Sequence, residues 1–444
     1  MIITLPGVQG LVKGLRDGNC TVFYNYIIMK KNLAIPIIPL FILLLSFNAS
    51  SQIISLTPKK KLIDFGWNSP FTNQLRDSLQ KYEKSPFDGL TIKLPKNVGG
   101  GNIFMVKDLL KISKSDMEVE RGLIQRMPQS KILTDNFIVI YGGSQMDWFS
   151  DEDWAVADVY IRYTAQLAKA MKCKGVLWDP EPYKPGKNPW KYDEQSRADK
   201  MSYEDYYVQI RKRGAQFIKA LQEEFPGLIV FSLREFSDYQ KGSPFSAGLL
   251  PVDDISKTKE ELTTAWWGLH LPFTIGILDA INEDVRLIDA NEDAYYYTSA
   301  LEFFQIRNIL KNDGRALVPV GLHNKYASNY SIGHAISADY VAGNWAEAIS
   351  FPYRLKGQAK MLTPVEQALW FEHNAYYALR TSDEYAWLYT ERANWWTGRN
   401  VPKGFEEALI RAKKKVDTGE PLGFSVDEML IKAREKAEKL EPEK

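Results

Sequence analysis

Residues 175–183 read Gly-Val-Leu-Trp-Asp-Pro-Glu-Pro-Tyr, and this stretch indicates both a fold and the position of a site. It begins as an unbroken apolar run of strand length and ends at two prolines that stiffen the chain. A continuous rather than alternating apolar strand is typical of a parallel sheet that is covered on both faces. Asp179 and Glu181 follow at a spacing of two residues, so an extended backbone would direct both carboxylates to one side.

Seven other segments have the same strand character and alternate with amphipathic helical patterns. The eight predicted strands are residues 62–67, 89–94, 137–141, 175–179, 228–233, 285–289, 316–322 and 385–389. Predicted helices occupy residues 73–83, 117–129, 156–171, 203–224, 297–311, 338–350, 364–380 and 405–416. Repeated strand–helix units predict an α/β fold, a (β/α)8 TIM barrel that forms one large domain with long loops on its C-terminal face.

A doubly wound open sheet is the alternative fold. Such sheets usually carry a glycine-rich phosphate-binding turn after the first strand. The turn that follows the first predicted strand here is Gly66-Trp67-Asn68-Ser69-Pro70, which lacks that pattern. The barrel is therefore the preferred interpretation.

The N-terminal segment predicts export. Lys30 and Lys31 precede a mostly apolar stretch at residues 33–47, and Ala49-Ser50-Ser51 offers small residues for cleavage. This pattern is typical of a secretory signal peptide beginning at Met29, and a membrane anchor would need about 20 apolar residues. We expect a periplasmic or extracellular protein without a stable membrane anchor.

The predicted organisation has three parts. They are residues 1–51 (an over-called start plus the signal peptide), residues 52–424 (a catalytic barrel) and residues 425–444 (a charged C-terminal helix). The whole chain has 56 Lys and Arg against 55 Asp and Glu, a formal charge of +1. This balance gives no electrostatic reason to expect nucleic acid as a partner.

Carboxylates recur at the ends of the predicted strands. In a barrel these ends converge on one mouth, where the active sites of barrel enzymes lie. Two carboxylates at close range cannot both ionise cheaply, so the pKa of one rises and that group can act as a general acid near neutral pH. We expect Glu181 to be the general acid/base, Asp179 to tune or orient it, and Glu391 or Asp289 to be the second carboxylate, a nucleophile or water-activating base.

The candidate substrate-binding residues are aromatic or polar side chains near those acids. The chain has 12 Trp, 23 Tyr and 21 Phe, and apolar sugar faces stack on such rings. The candidates are Trp67, Trp178, Tyr183, Glu235, Glu292, His323, Asn324, Trp395 and Trp396. No H-x-H, H-E-x-x-H or C-x-x-C motif occurs, so we expect no metal site and no cofactor.

With these features the chain resembles the (β/α)8 glycoside hydrolases that bacteria export. The stretch from Asp179 to Tyr183 is similar to the D-x-E that ends strand four in chitinase-like enzymes, where the Glu is the acid and the Asp orients an acetamido group. Gly175 and Leu177 stand where the fuller chitinase pattern has acids. In clan A hydrolases the acid is on strand four and the nucleophile on strand seven. Glu181 matches the first position, whereas residues 316–326 contain no carboxylate for the second.

Enzymes with paired acids on strands four and six would instead match Asp179 and Asp289. The resemblance implies hydrolysis of glycosidic bonds in a polysaccharide or oligosaccharide. The alternative is a non-catalytic carbohydrate-binding barrel. That alternative gains support if Glu181 forms a buried ion pair with Arg234 or Arg392 and no carboxylate stands opposite.

Overall fold

A computed structural model describes residues 58–143, 146–183, 188–241, 248–250, 255–344 and 357–439. The predicted signal peptide, the predicted barrel start at residue 52 and the end of the chain from residue 440 lie outside the described residues. Part of the predicted helix 338–350 also lies outside them.

The described residues contain nine strands, and every pairing between them is parallel. The strands are β1 (Lys61–Gly66), β2 (Gly89–Ile92), β3 (Phe137–Tyr141), β4 (Gly175–Asp179), β5 (Ile229–Ser232), β6 (Arg286–Asp289), β7 (Tyr330–Ile332), β8 (His334–Ser337) and β9 (Tyr385–Thr390). Their order in the sheet is β7-β6-β5-β4-β3-β2-β1-β9-β8.

The two edges of this sheet are halves of one continuous segment. β7 pairs with β6, β8 pairs with β9, and only Gly333 separates β7 from β8. A Cβ at residue 333 would lie 2.9 Å from the carbonyl oxygen of Tyr385, so glycine suits the point where the segment changes partners. The sheet thus curls into a nearly closed barrel with eight strand positions, as the sequence predicts.

Helices connect the strands and cover the outside of the barrel. They are α1 (Thr72–Tyr82), α2 (Val106–Leu109), α3 (Lys114–Gln125), α4 (Asp151–Ala170), α5 (Tyr203–Glu224), α6 (Ile255–Thr264), α7 (His270–Ala280), α8 (Ala300–Asn312), α9 (His323–Asn329), α10 (Ala338–Val341), α11 (Pro364–Thr381), α12 (Phe405–Thr418) and α13 (Asp427–Glu438). Several of the helices are capped at their N-termini by a hydroxyl side chain. The cap residues of α4, α5 and α11 are Ser150, Ser202 and Thr363, and each side chain accepts a hydrogen bond from the backbone N–H three residues later.

The prediction of a seventh strand at residues 316–322 is wrong. Residues Gly314–Leu317 and Val320–Leu322 form short 3-10 turns, and α9 follows before the strand position is reached at Tyr330. The run is apolar but contains Pro319 and Gly321, and Val320 is 82% exposed. Its apolar residues are therefore not evidence of a buried strand.

Aromatic rings fill the lower part of the barrel. Phe137, Phe231 and Tyr385 come from β3, β5 and β9, and their ring centroids lie 5.5 to 6.2 Å apart. The guanidinium of Arg286 lies 5.9 Å from the ring of Tyr385. These contacts between non-adjacent strands identify the face of each strand that points into the barrel.

The C-terminal helix α13 packs one face against the rest of the chain. Leu430 and Ala433 are buried, and the side-chain amide of Gln358 donates a hydrogen bond to the Leu430 carbonyl at 3.0 Å. The helix carries many charged residues, but its buried face means that it is only partly solvated. Within the described ranges, no helix is both long and apolar enough to cross a membrane.

Candidate active site at the barrel mouth

The strand register determines which strand-end acids point into the barrel. Leu177 of β4 pairs with Phe231, whose ring lies in the interior, and Asp179 follows two residues later on the same face. Trp178 lies between them and therefore points outward, toward the helices. Asp179 is buried at the C-terminal end of β4, where the chain leaves the sheet through Pro180.

Arg234 lies at the centre of the mouth, with a side chain only 4% exposed. Its Nη2 is 2.6 Å from Oε1 of Glu181 and 3.0 Å from Oε2 of Glu292, and its Nη1 donates to Asp238 at 3.1 Å. Its Nε also donates to Oε1 of Glu181 at 3.2 Å. The guanidinium lies over the ring of Trp267, 5.5 Å from the centroid. One buried cation thus holds three carboxylates.

Glu181 and Glu292 meet at a single nitrogen of that guanidinium. The nearest oxygens of the two carboxylates are therefore at most about 5.6 Å apart, the sum of their distances from Nη2. Carboxyl groups about 5–5.5 Å apart are typical of retaining glycosidases, and about 6.5–9.5 Å of inverting ones. Burial raises the pKa of Glu292 well above its usual range, the charge of Arg234 opposes this, and the charges of Glu181 and Asp179 add to it.

Asp179 links the pair to Tyr183. Its Oδ1 accepts the backbone N–H of Glu181 at 3.1 Å, and its Oδ2 accepts the hydroxyl of Tyr183 at 2.8 Å. Burial raises the pKa of Asp179 well above its usual range, and the nearby charge of Glu181 raises it further. Tyr183 is 45% exposed because its ring faces solvent while its hydroxyl points inward.

Trp67 and Tyr183 form an aromatic rim beside these acids. Their ring centroids lie 5.5 Å apart, and Trp67 is 51% exposed. The Lys93 ammonium donates to the Trp67 carbonyl at 2.7 Å and so holds the turn after β1. Exposed rings next to carboxylates can stack on the apolar face of a sugar.

Glu391 follows the end of β9 and contacts Tyr389. The Tyr389 hydroxyl donates to Oε1 of Glu391 at 3.2 Å, and the ring of Tyr389 stacks on Tyr295 at 5.4 Å. Burial first, and then the charges of Glu391 and Glu292, raise the pKa of Tyr389. Glu391 is thus hydrogen-bonded to Tyr389, which also lies within electrostatic range of Glu292.

The prediction that Asp289 faces the mouth is wrong. Asp289 pairs with Ser232, which in turn pairs with the outward-facing Trp178, so its side chain points toward the helices. There it accepts hydrogen bonds from the backbone and hydroxyl of Ser237 and from the hydroxyl of Tyr330, at 2.6 to 2.8 Å. These contacts give Asp289 a structural role.

Glu235 is also too deep to contact a substrate. It is fully buried, and its Oε2 accepts the hydroxyl of Thr274 from α7 at 2.6 Å. Burial raises the pKa of Glu235 well above its usual range. The expectation of a substrate contact here is wrong because the residue turns from the mouth toward α7.

Three of the predicted substrate-stacking tryptophans pack against other aromatic rings of the protein; Trp178 and Trp395 are buried, and Trp396 is partly buried. Trp178 is 0% exposed and contacts the rings of Phe104, Phe217 and Phe273. Trp395 is buried against Phe87, and Trp396 stacks on Tyr82 of α1 at 4.7 Å. Trp178 fails as a candidate because it faces away from the barrel interior, and the other two because their loop folds back over α1.

His323 and Asn324 lie away from the mouth. They begin α9, which precedes β7, so they are on the N-terminal side of that strand. His323 donates through Nε2 to the Val318 carbonyl at 3.0 Å. Both residues line a separate cavity of about 300 Å³ with Lys311, Arg315, Tyr326, Ala327 and Tyr330. Their predicted place at the mouth was wrong because it depended on the incorrect seventh strand.

The sequence interpretation missed Asp238 and treated Arg234 only as a conceivable partner of Glu181. Both follow β5, and their spacing of four residues was the available signal, since an Arg and an Asp at that spacing can pair on one helical turn.

Within the described ranges, no group of three His, Cys, Asp or Glu side chains could hold a metal ion. The arrangement can supply two adjacent carboxylates, one cation and an aromatic rim.

Comparison with protein-family models and with curated proteins finds no match. Among solved structures, the chain is similar to a GH5-4 broad specificity endoglucanase from an uncultured bacterium, with 10% identity, a TM-score of 0.39 and coverage of 78% of this chain and 86% of that one. It is also similar to a glycoside hydrolase family 5 enzyme from Prevotella bryantii B14 (10% identity, TM-score 0.42, coverage 80% and 96%). A Bacteroides ovatus GH5 xyloglucanase gives 10% identity, a TM-score of 0.42 and coverage of 80% and 75%. At this identity the alignments transfer no residue role to the chain.

Proposed function

We propose that the chain is a glycoside hydrolase whose reacting carboxylates are Glu181 and Glu292. The observation that carries the proposal is their meeting at one nitrogen of Arg234 in the barrel mouth, with nearest oxygens at most about 5.6 Å apart. This replaces Asp289 as the expected second carboxylate, because Asp289 faces the helices. Glu391 is the remaining alternative for that role.

The separation favours a retaining mechanism. One carboxylate attacks the anomeric carbon while the other protonates the leaving glycosidic oxygen, and water then hydrolyses the glycosyl–enzyme ester. A sugar chain would lie against Trp67 and Tyr183, and Asp179 would orient the Tyr183 hydroxyl beside the pair. The substrate class is a polysaccharide or oligosaccharide.

The test measures reducing ends released from a broad panel of polysaccharides and aryl glycosides. Glu181→Gln and Glu292→Gln are expected to lower kcat by orders of magnitude while the far-ultraviolet circular dichroism stays that of the wild type. Glu384→Gln is the matched control, because Glu384 also pairs with an arginine, Arg286 at 2.7 Å, but precedes β9 at the opposite end of the barrel. Full activity in either mouth variant would overturn the assignment.

A non-catalytic carbohydrate-binding barrel is the second candidate. The observation that favours it is the ion pair between Glu181 and the buried Arg234. The presence of Glu292 on the same guanidinium opposes it, since a second carboxylate does stand opposite. Glycan binding without release of reducing ends, equal in the wild type and Glu181→Gln, would favour this candidate.

We also propose that the protein is exported, on the pattern that begins at Met29. The pattern belongs to the sequence alone, because those residues lie outside the described ranges. Expression of the full chain in a Gram-negative host, followed by cell fractionation and N-terminal sequencing, tests it. Export with a new terminus at Gln52 would support the proposal, and a cytoplasmic, uncleaved product would contradict it.

A further inference from the structure

We infer that Arg234 divides the roles within the carboxylate pair, so that Glu181 is the nucleophile and Glu292 is the proton donor. The inference rests on the proposed function and reverses the role that the sequence assigned to Glu181. It follows from an asymmetry in how the two side chains meet the same guanidinium.

Glu181 receives two N–H groups from Arg234, whereas Glu292 receives none at its nearest oxygen. Nε and Nη2 donate to Oε1 of Glu181 at 3.2 and 2.6 Å. Oε2 of Glu292 is buried and lies 3.0 Å from Nη2, but it accepts no hydrogen bond from any described residue. Charge-assisted hydrogen bonds stabilise the carboxylate form of the acceptor, which is the form that a nucleophile needs.

Arg234 is held in place from its far side. Asp238 accepts Nη1 at 3.1 Å, and the guanidinium lies over the ring of Trp267. Because three parts of the guanidinium are occupied, the side chain is pre-organised toward Glu181.

The surroundings of Glu292 favour a proton on that side chain. Its side chain is 16% exposed, and it lies within electrostatic range of Glu181, Asp179 and Asp238. Arg234 is the one cation among the largest electrostatic influences on Glu292. The other titratable neighbours include Asp293, the next residue in the chain, and the phenols of Tyr183, Tyr295, Tyr296 and Tyr389. A carboxyl that keeps its proton near neutral pH can serve as a general acid.

The reaction then proceeds in two steps. Glu181 forms an ester bond to the anomeric carbon as the glycosidic bond breaks, and the leaving oxygen takes the proton of Glu292. Glu292, now a carboxylate, removes a proton from water as the water oxygen attacks the anomeric carbon. The ester bond breaks, Glu181 is released as a carboxylate, and Glu292 is protonated again.

Leaving-group chemistry tests the division of roles. The probes are 2,4-dinitrophenyl and phenyl glycosides of a sugar that the wild type hydrolyses, with Glu292→Ala and Glu181→Ala as the variants. A missing general acid costs about 10²–10⁴-fold when the leaving group needs a proton. Glu292→Ala should release phenol more slowly than the wild type by that factor, but its release of dinitrophenolate should slow far less. Glu181→Ala should lose activity on both glycosides.

Azide gives a second readout on the same variants. With Glu292→Ala, azide should attack the glycosyl–enzyme and give a glycosyl azide of retained configuration. With Glu181→Ala, it should replace the nucleophile and give the inverted azide. The opposite pattern would overturn the inference, and Glu181 would then be the acid.

Variants of Arg234 test whether its guanidinium determines the different roles of Glu181 and Glu292. Arg234→Gln should move the acidic limb of the kcat/KM pH profile to higher pH, and Arg234→Lys, which keeps a cation, should move it less. Arg286→Gln is the control, because Arg286 is at the N-terminal end of the same barrel. If the Arg234→Gln protein folds and the acidic limb of its pH profile does not move, Arg234 does not divide the roles of Glu181 and Glu292. A wild type that hydrolyses no glycoside would instead overturn the proposed function.

Discussion

Replacing Trp178 with alanine should lower the stability of the protein, whereas replacing Trp67 with alanine should weaken substrate binding. Trp178 is 0% exposed and contacts the rings of Phe104, Phe217 and Phe273 at 5.0 to 6.0 Å, so its removal leaves a cavity between β4 and the helices. Such a change costs about 3–5 kcal/mol in the free energy of unfolding. Trp67 is 51% exposed, and its removal should change stability by about 0.5 kcal/mol or less.

Substrate affinity should show the reverse order. An aromatic face contributes about 0.5–1.5 kcal/mol, which corresponds to roughly a 2- to 13-fold rise in KM for Trp67→Ala. Urea denaturation gives the stabilities, and steady-state kinetics on a hydrolysed oligosaccharide gives KM. Trp67→Phe and Trp178→Phe are the matched controls, because each keeps a ring. A Trp178→Ala protein as stable as the wild type, with an altered KM, would refute the placement of this side chain in the core.

Three further predictions concern single carboxyl and hydroxyl groups. Burial raises the pKa of Asp64 in β1 from 3.8 to about 7. The unfolded chain therefore loses this proton at a lower pH than the folded protein, and stability falls as pH rises from about 4 to about 7. Asp64→Asn should thus be more stable than the wild type at pH 8 by up to about 4 kcal/mol in urea denaturation, and an equal difference at pH 4 would contradict the shift. Tyr183→Phe keeps the ring but removes the donor to Asp179, so kcat should fall by about tenfold at an unchanged KM, and a change in KM alone would count against the contact. Asp289→Ala leaves buried donors of Ser237 and Tyr330 unpaired, which should cost about 1–3 kcal/mol by thermal or urea denaturation. Loss of kcat in an Asp289→Ala protein of normal stability would instead indicate a catalytic role.

Continuous apolar strands made most of the fold predictable. Phe137–Tyr141 and Gly175–Asp179 were predicted with the bounds that the structure shows, because both are apolar runs buried between the interior and the helices. The strand at the seventh position was not predicted because it lacks a continuous apolar run. Residues 330–337 are polar in part and interrupted by Gly333, so they lack the apolar run that identifies the other strands.

The site was only partly predictable, because alternation along a strand does not say which face points inward. Asp179 and Asp289 both end apolar strands, yet the register turns the first inward and the second outward. Glu292 was expected only as a substrate contact, since its position depends on how the chain turns after β6. The meeting of Glu181 and Glu292 at Arg234 joins three separate strand ends and has no local pattern in the sequence.

The anomeric configuration of the first product tests the central claim most directly. Proton NMR of a hydrolysed substrate, recorded before mutarotation, reports whether the newly released reducing end keeps the configuration of the cleaved bond. Because the nearest oxygens of Glu181 and Glu292 are at most about 5.6 Å apart, we predict retention. Inversion would require a water between more distant carboxylates and would contradict the assignment of this pair.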